Sequence, residues 1–182
     1  MNITRRLFIG IPLSPPFRKR LSREIHQWPK EAVLPTAEEN LHVTLLFLGF
    51  VQEDQVPSIC AKVGEACKNF ESFELFFTGI KLLDNDEHPK MIWLTGEASE
   101  ELKNLREAME KKFSAFITEK KSYRPHVTLA KIKKQKWLSL SEKPKFKEQT
   151  SFVEPVDTVC IFESLSLDGK RRYEPIDTFA LQ

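Results

Sequence analysis

Two histidines in this chain are each followed, two positions later, by a threonine: His42 and Thr44 in LHVTLLFLG (41–49), His126 and Thr128 in HVTLAKI (126–132). Both segments read as β-strands, and alternate residues of a strand share a face. His42 therefore projects with Thr44 while Leu41, Val43 and Leu45 point the other way into apolar packing; Val127 and Leu129 do the same behind His126 and Thr128. Brought face to face, the two strands would line a groove with two imidazoles and two hydroxyls. An ordinary histidine pKa of about 6.5 makes both protonation states accessible near neutrality. Two imidazoles flanking one phosphorus can serve as base and acid in an in-line displacement, one taking a proton from water and the other protonating the departing oxygen. Threonine hydroxyls can donate hydrogen bonds to the non-bridging oxygens. The scheme needs no metal and no cofactor.

The elements that must position these residues show a weak internal repeat. The tetrapeptide HVTL recurs after 84 positions (126 minus 42), and each copy follows a helix and a proline-containing loop. A duplicated α+β unit would give two lobes, each offering one HVTL strand. RRLFIGIPL (5–13) reads as a strand; Phe17, Leu21, Ile25 and Trp28 recur at helical spacing behind Pro15 and Pro16. Pro29 and Pro35 bracket a loop before the first HVTL strand. A second helix buries Val56, Ile59, Cys60, Val63, Cys67 and Phe70; a third carries Leu102, Leu105, Met109, Phe113 and Phe116. Strands over 73–83 and 91–97 flank the turn-like DNDEHP, and two last strands, Val159–Leu167 and Arg172–Phe179, flank Asp168-Gly169. A lysine-rich connection containing Pro144 follows the second HVTL strand. The expected fold class is α+β: one bilobal domain over 1–182, with antiparallel sheets lining a central groove and helices on the outside.

Composition narrows the function classes. The 182 residues carry a net charge of only +2, so the whole-chain balance does not point to nucleic acid. Charge is uneven, however. Lys120 to Lys136 holds seven basic residues and no acidic one, a segment able to attract a phosphate-bearing ligand. Cys60, Cys67 and Cys160 form neither a disulfide framework nor a CxxC pair, and Cys60 and Cys67 are expected to face a helix's buried side. Arg5 and Arg6 precede a short apolar run that Pro12 interrupts, which is not a signal-peptide pattern, and no run approaches bilayer length. A cytoplasmic location and no membrane association are the expectations. No HExxH, G-x-S-x-G elbow or P-loop occurs, which disfavours zinc, a serine triad and ATP-driven ligation.

Paired H-x-T-x motifs in a chain of this length resemble the 2H phosphoesterase superfamily. The strings ENLHVTLLFLG, RPHVTLAK, RRLFIGIPL and FESLSLDGKRRYEPI are similar to its RNA 2′,3′-cyclic phosphodiesterase branch, historically called 2′-5′ RNA ligases. The resemblance implies a bilobal α+β fold and metal-independent hydrolysis of RNA 2′,3′-cyclic phosphate ends to 2′-phosphates. Carried over by motif position, His42 is the proton donor to the leaving 3′-oxygen and His126 the proton acceptor that activates water. Thr44 and Thr128 hold the phosphate. Lys131 stands where the second motif often continues with arginine, keeping the charge but losing the bidentate fork.

Around this core, Arg124 and Lys131 are candidate phosphate contacts, each with a solvated charge as the alternative. Tyr123 could stack on a base or simply pack at the strand edge, while His26 and His88 read as surface residues. The expected partner is RNA ending in a 2′,3′-cyclic phosphate, with no obligate protein partner and a monomer as the default. Two alternatives stand beside this: a phosphodiesterase for another small cyclic phosphate, and a non-catalytic module that binds RNA ends. Weak 2′-5′ ligation is the reverse reaction, with a 5′-hydroxyl in place of water.

Overall fold

The computed structural model describes residues 3–83, 87, 89–117, 123–146, 149 and 151–182. The DNDEHP turn and His88 lie outside the described residues, apart from Glu87 and Pro89, as do Lys120 and Lys121 of the basic segment. Among the described residues nine strands are seen: β1 (Thr4–Pro12), β2 (Val33–Pro35), β3 (His42–Gln52), β4 (Phe73–Leu83), β5 (Met91–Gly96), β6 (His126–Ile132), β7 (Phe152–Val156), β8 (Thr158–Leu167) and β9 (Lys170–Ala180). Four helices accompany them: α1 (Pro15–Ile25), α2 (Val56–Cys67), α3 (Glu100–Lys112) and α4 (Lys134–Leu138). The predicted long elements form within a few residues of their expected bounds. Three short ones are absent from the sequence reading. β2 lies in the loop bracketed by prolines, α4 in the lysine-rich connection, and β7 holds Pro155 and too few residues to show a period.

All strand pairings are antiparallel and join one sheet in the order β7-β4-β5-β6-β3-β1-β8-β9, with β2 against β6. The expected two half-sheets are therefore continuous, meeting where β3 and β6 share the single pair Val43↔Val127. The halves are not the two halves of the chain. β1, β3, β8 and β9 come from its ends, while β4, β5, β6 and β7 come from its middle. What is duplicated is a strand–helix–HVTL-strand unit, β1-α1-β3 and β5-α3-β6.

Helices cover one face of the sheet. On α1, Phe17 stacks on Phe77 of β4 at 5.7 Å and meets Phe152 of β7 edge-on at 5.8 Å. Gly64 of α2 lies under the Phe179 ring of β9, where an added Cβ would sit 2.9 Å from a ring carbon. Leu102, Leu105 and Met109 of α3 are fully buried in the same core. Past the helix ends, Trp28, Phe113 and Phe116 pack from turns, so helical spacing overran the helices by about one turn. Cys67 is buried, whereas Cys60 at the helix flank is only half-buried. No helix among the described residues is long and apolar enough to cross a membrane.

One buried acid fixes the start of α1. Proline at N1 and N2 suits the first turn, and the Ser14 hydroxyl caps Phe17 N–H at 3.4 Å. Glu154 of β7, 2 % exposed, accepts hydrogen bonds from the Ser14 backbone N–H and from its hydroxyl, the latter at 3.1 Å. Glu154→Ala leaves that half-buried N–H without its partner and is expected to cost about 1–3 kcal/mol. Urea denaturation checks this, with a lower midpoint and an unchanged m-value expected.

Candidate active site

The helix-free face of the sheet carries both predicted motifs. Val43 and Val127, each 0 % exposed, form the central pair. Continuing that antiparallel register places His42 across from Thr128 and Thr44 across from His126. The two motifs are thus related by an approximate two-fold axis through the valine pair, and all four polar side chains lie on one face.

The symmetry extends into the backbone. Each HVTL strand bulges directly after its threonine: Gly10 pairs with Thr44 but Ile9 with Leu46, and Trp93 pairs with Thr128 but Ile92 with Ala130. A bulge inserts one residue and reverses the inside–outside alternation beyond it. Leu45 and Leu46 both become buried, as do Leu129 and Ala130, and the next residues, Phe47 and Lys131, return to the groove face. Without the bulges both would point at the helices. Lys131 is accordingly exposed beside the predicted site. Its counterpart is an aromatic residue, Phe47, which strict alternation from Val43 and Leu45 would aim at the core; it is 66 % exposed.

Both imidazoles are held alike. His42 Nδ1 donates to the carbonyl of Asn40 at 2.7 Å, and His126 Nδ1 donates to the carbonyl of Arg124 at 2.8 Å. A carbonyl only accepts, so each neutral ring carries its proton on Nδ1 and keeps the Nε2 lone pair. The Thr44 hydroxyl lies 2.9 Å from His42 Nε2 and donates to it in that tautomer. Asn40, 6 % exposed, was missed as a positioning residue; its only sequence signal is the offset of two before His42. Its side-chain amide donates to Arg171 O at 2.7 Å and its Oδ1 accepts from Tyr173 N–H at 2.9 Å, clamping β9 to the loop that orients His42.

What differs is the floor beneath each ring. In β1 the residue paired with the motif threonine is Gly10; in β5 it is Trp93. A Cβ on Gly10 would lie 3.4 Å from His42 Cδ2 and 2.9 Å from Val43 O, so the His42 ring sinks over the glycine. There it packs against Phe8 at 4.8 Å, Phe162 at 5.7 Å and the edge-on ring of Tyr173 at 5.0 Å. His126 instead lies flat on the Trp93 indole, with centroids 3.7 Å apart and planes 18° apart. Burial pushes the His42 pKa down to about 4, against the pull of the Asn40 carbonyl, and the charge of His126 pushes the same way. Burial also lowers His126, opposed by the Arg124 carbonyl.

The remaining predicted residues are placed as follows. Tyr123 is not free to stack: its hydroxyl donates to Thr44 O at 3.1 Å, and Arg106 lies 4.0 Å over its ring. It ties the loop before His126 to the first motif, and burial raises its phenol to about 12. The Arg124 side chain is exposed at the groove rim, and among the described residues its carbonyl is the group that is engaged. His26 is exposed at the end of α1, Nδ1 donating to Ser22 O at 2.6 Å.

The lowered His42 pKa has a sign. The unfolded chain takes up the proton near pH 6.5 and the folded chain only near 4, so this group's stabilisation is complete above about 6.5 and is lost on acidification towards 4. Between pH 7.5 and 5 the loss amounts to about 2 kcal/mol. The urea-derived stability of His42→Asn should fall less over that interval by this amount; parallel pH curves for both proteins would contradict the buried neutral imidazole.

Comparison with known proteins identifies the family and the fold. The profile of the 2′-5′ RNA ligase superfamily matches residues 17–166. An RNA 2′,3′-cyclic phosphodiesterase of Thermotoga maritima is 31 % identical over 143 residues, 75 % of this chain and 76 % of that protein. One from Bacillus subtilis is 27 % identical over 137 residues, 71 % of this chain and 73 % of that protein. Among solved structures, TT0787 of Thermus thermophilus superposes with a TM-score of 0.83 at 21 % identity, covering 97 % of each chain. E. coli LigT complexed with 3′-AMP gives 0.77 at 23 % identity, over 98 % of this chain and 99 % of that one. With its α+β antiparallel fold and its paired H-x-T-x strands, the chain belongs to the 2′-5′ RNA ligase superfamily of two-histidine phosphoesterases.

Proposed function

We propose that this chain hydrolyses the 2′,3′-cyclic phosphate end of RNA to a 2′-phosphate, with His42 as proton donor and His126 as proton acceptor. The observation that carries the reading is the pair of Nδ1-protonated imidazoles, related by the Val43–Val127 axis, with a threonine beside each. Relatives named RNA 2′,3′-cyclic phosphodiesterase support the substrate class.

In this reaction a water loses a proton to His126 Nε2 as its oxygen attacks phosphorus. The bond from phosphorus to the 3′-oxygen breaks, and His42 Nε2 gives that oxygen its proton, leaving the phosphate on the 2′-oxygen. His126 then releases its proton to solvent and His42 regains one. A His42 with a pKa near 4 is neutral in the empty groove at pH 7, so the acid must be charged as substrate enters. The phosphate anion does this, because a negative charge nearby favours imidazolium. The Thr44 hydroxyl that caps Nε2 in the free site then turns to a non-bridging oxygen, releasing Nε2 for the leaving group. Thr128 holds the phosphate from the opposite strand, and Lys131 and Arg124 supply charge at the rim.

The test is incubation with a 2′,3′-cyclic-phosphate oligoribonucleotide in EDTA, with product position resolved. A 2′-phosphate product is expected, and His42→Ala and His126→Ala should each lower the rate by about 10²–10⁴-fold. Near wild-type turnover by either variant would overturn the acid–base roles, and strict metal dependence the mechanism. Binding without product would show a recognition module instead.

A further inference from the structure

Two arginine pairs, Arg5-Arg6 and Arg171-Arg172, lie at the end of the His42 half-sheet, and in each pair one residue is neutralised and its neighbour is not. Arg5, behind the sheet beside Val51, meets Glu53 at 2.5 Å and Glu163 at 3.2 Å. Arg172 meets Glu174 at 3.1 Å. Arg6 and Arg171 take the opposite face of the strand, the one carrying Phe8, Tyr173 and His42. Both are exposed, and no carboxylate among the described residues forms an ion pair with either. Arg171 is held by its own Nη1, which donates to Ser164 Oγ at 3.2 Å.

An aromatic residue completes the patch. A second register shift in β3, at Gly49 with φ +75°, makes Leu48 buried and brings Phe50 opposite Arg6 on the groove face, 75 % exposed. Arg6 and Arg171 each lie two residues, about 7 Å, along their strands from a ring that touches His42: Phe8 and Tyr173 respectively. That offset is of the order of one nucleotide step. Exposed cations without a carboxylate partner among the described residues, beside an exposed aromatic face, are what a single-stranded nucleic acid requires: charge for phosphates and a platform for a base.

We propose that Arg6, Phe50 and Arg171 form a subsite for the nucleotide on the 5′ side of the cyclic end, so that the protein reads oligoribonucleotides in preference to mononucleotides. This rests on the reading of the groove as an RNA-end site. The two guanidinium groups neutralise upstream phosphates, and Phe50 stacks on the upstream base.

The test compares a 2′,3′-cyclic mononucleotide with a cyclic-ended oligoribonucleotide in the wild type, in Arg6→Gln/Arg171→Gln, and in Phe50→Ala. All three substitutions are at exposed side chains. The wild type should prefer the oligonucleotide in kcat/KM. The double variant should lose about tenfold or more on it while keeping its mononucleotide rate, and its salt slope should flatten by about 1.4, near 0.7 for each phosphate contact removed. Phe50→Ala should lose about fivefold or more on the oligonucleotide alone. Equal wild-type use of both substrates, or equal losses on both, would overturn the subsite. Fluorescence anisotropy of a labelled oligoribonucleotide ending in 2′-phosphate separates this from catalysis. Binding weakened by the arginine substitutions in a protein without turnover keeps the subsite and removes the catalytic reading; turnover with binding indifferent to them does the reverse.

Discussion

The backbone pairing of Val43 with Val127 is the constraint on which the site depends. It is the single register contact between the two HVTL strands, and both valines are fully buried against the helix-covered core. Because side chains alternate along a strand, burying the valines forces the flanking histidines and threonines onto the other face. A slip of one residue would exchange them and bury four polar groups. The apolar core thus enforces the geometry of a polar groove. Tyr123 and Asn40 secure it from either side, one bonded to the carbonyl of Thr44 and the other clamping β9 to the carbonyl that orients His42.

Within that near-symmetric frame, one pair of residues breaks the symmetry. Gly10 lets the first imidazole sink among aromatic rings, and Trp93 supports the second as a flat platform. Depth translates into charge: the sunken ring resists protonation more strongly. On the proposed reading this runs against the role of His42 as acid until the substrate's own charge arrives. A groove that charges its acid only when an anion is present couples protonation to binding. The indole under His126 offers its π face to the imidazolium that forms when water is deprotonated.

Much of this was legible in the sequence, for definite reasons. Period-two alternation in 41–49 and 126–132 revealed which side chains travel together, and the repeat revealed that there are two such strands. Pairing between distant segments leaves no local trace, so the chain-end and chain-middle composition of the two half-sheets was not readable. Nor were the bulges. They arise where the strand partner skips a residue, and they brought Phe47 and Lys131, which strict alternation would aim at the core, onto the groove face. Asn40 looked like an ordinary loop residue because its partners lie on β9, more than 130 positions away. The difference between the histidines was invisible for the same reason, since Gly10 and Trp93 act across strands.

The central claim is that the two imidazoles divide the proton transfers, with His42 serving the leaving group. A cyclic substrate with sulfur in place of the bridging 3′-oxygen tests this most directly, because a thiolate departs without a general acid. On that substrate His42→Ala should recover most of the wild-type rate, while His126→Ala should remain impaired, since water still has to be deprotonated. Recovery by His126→Ala alone would reverse the two roles, and recovery by neither would contradict a leaving-group proton from His42.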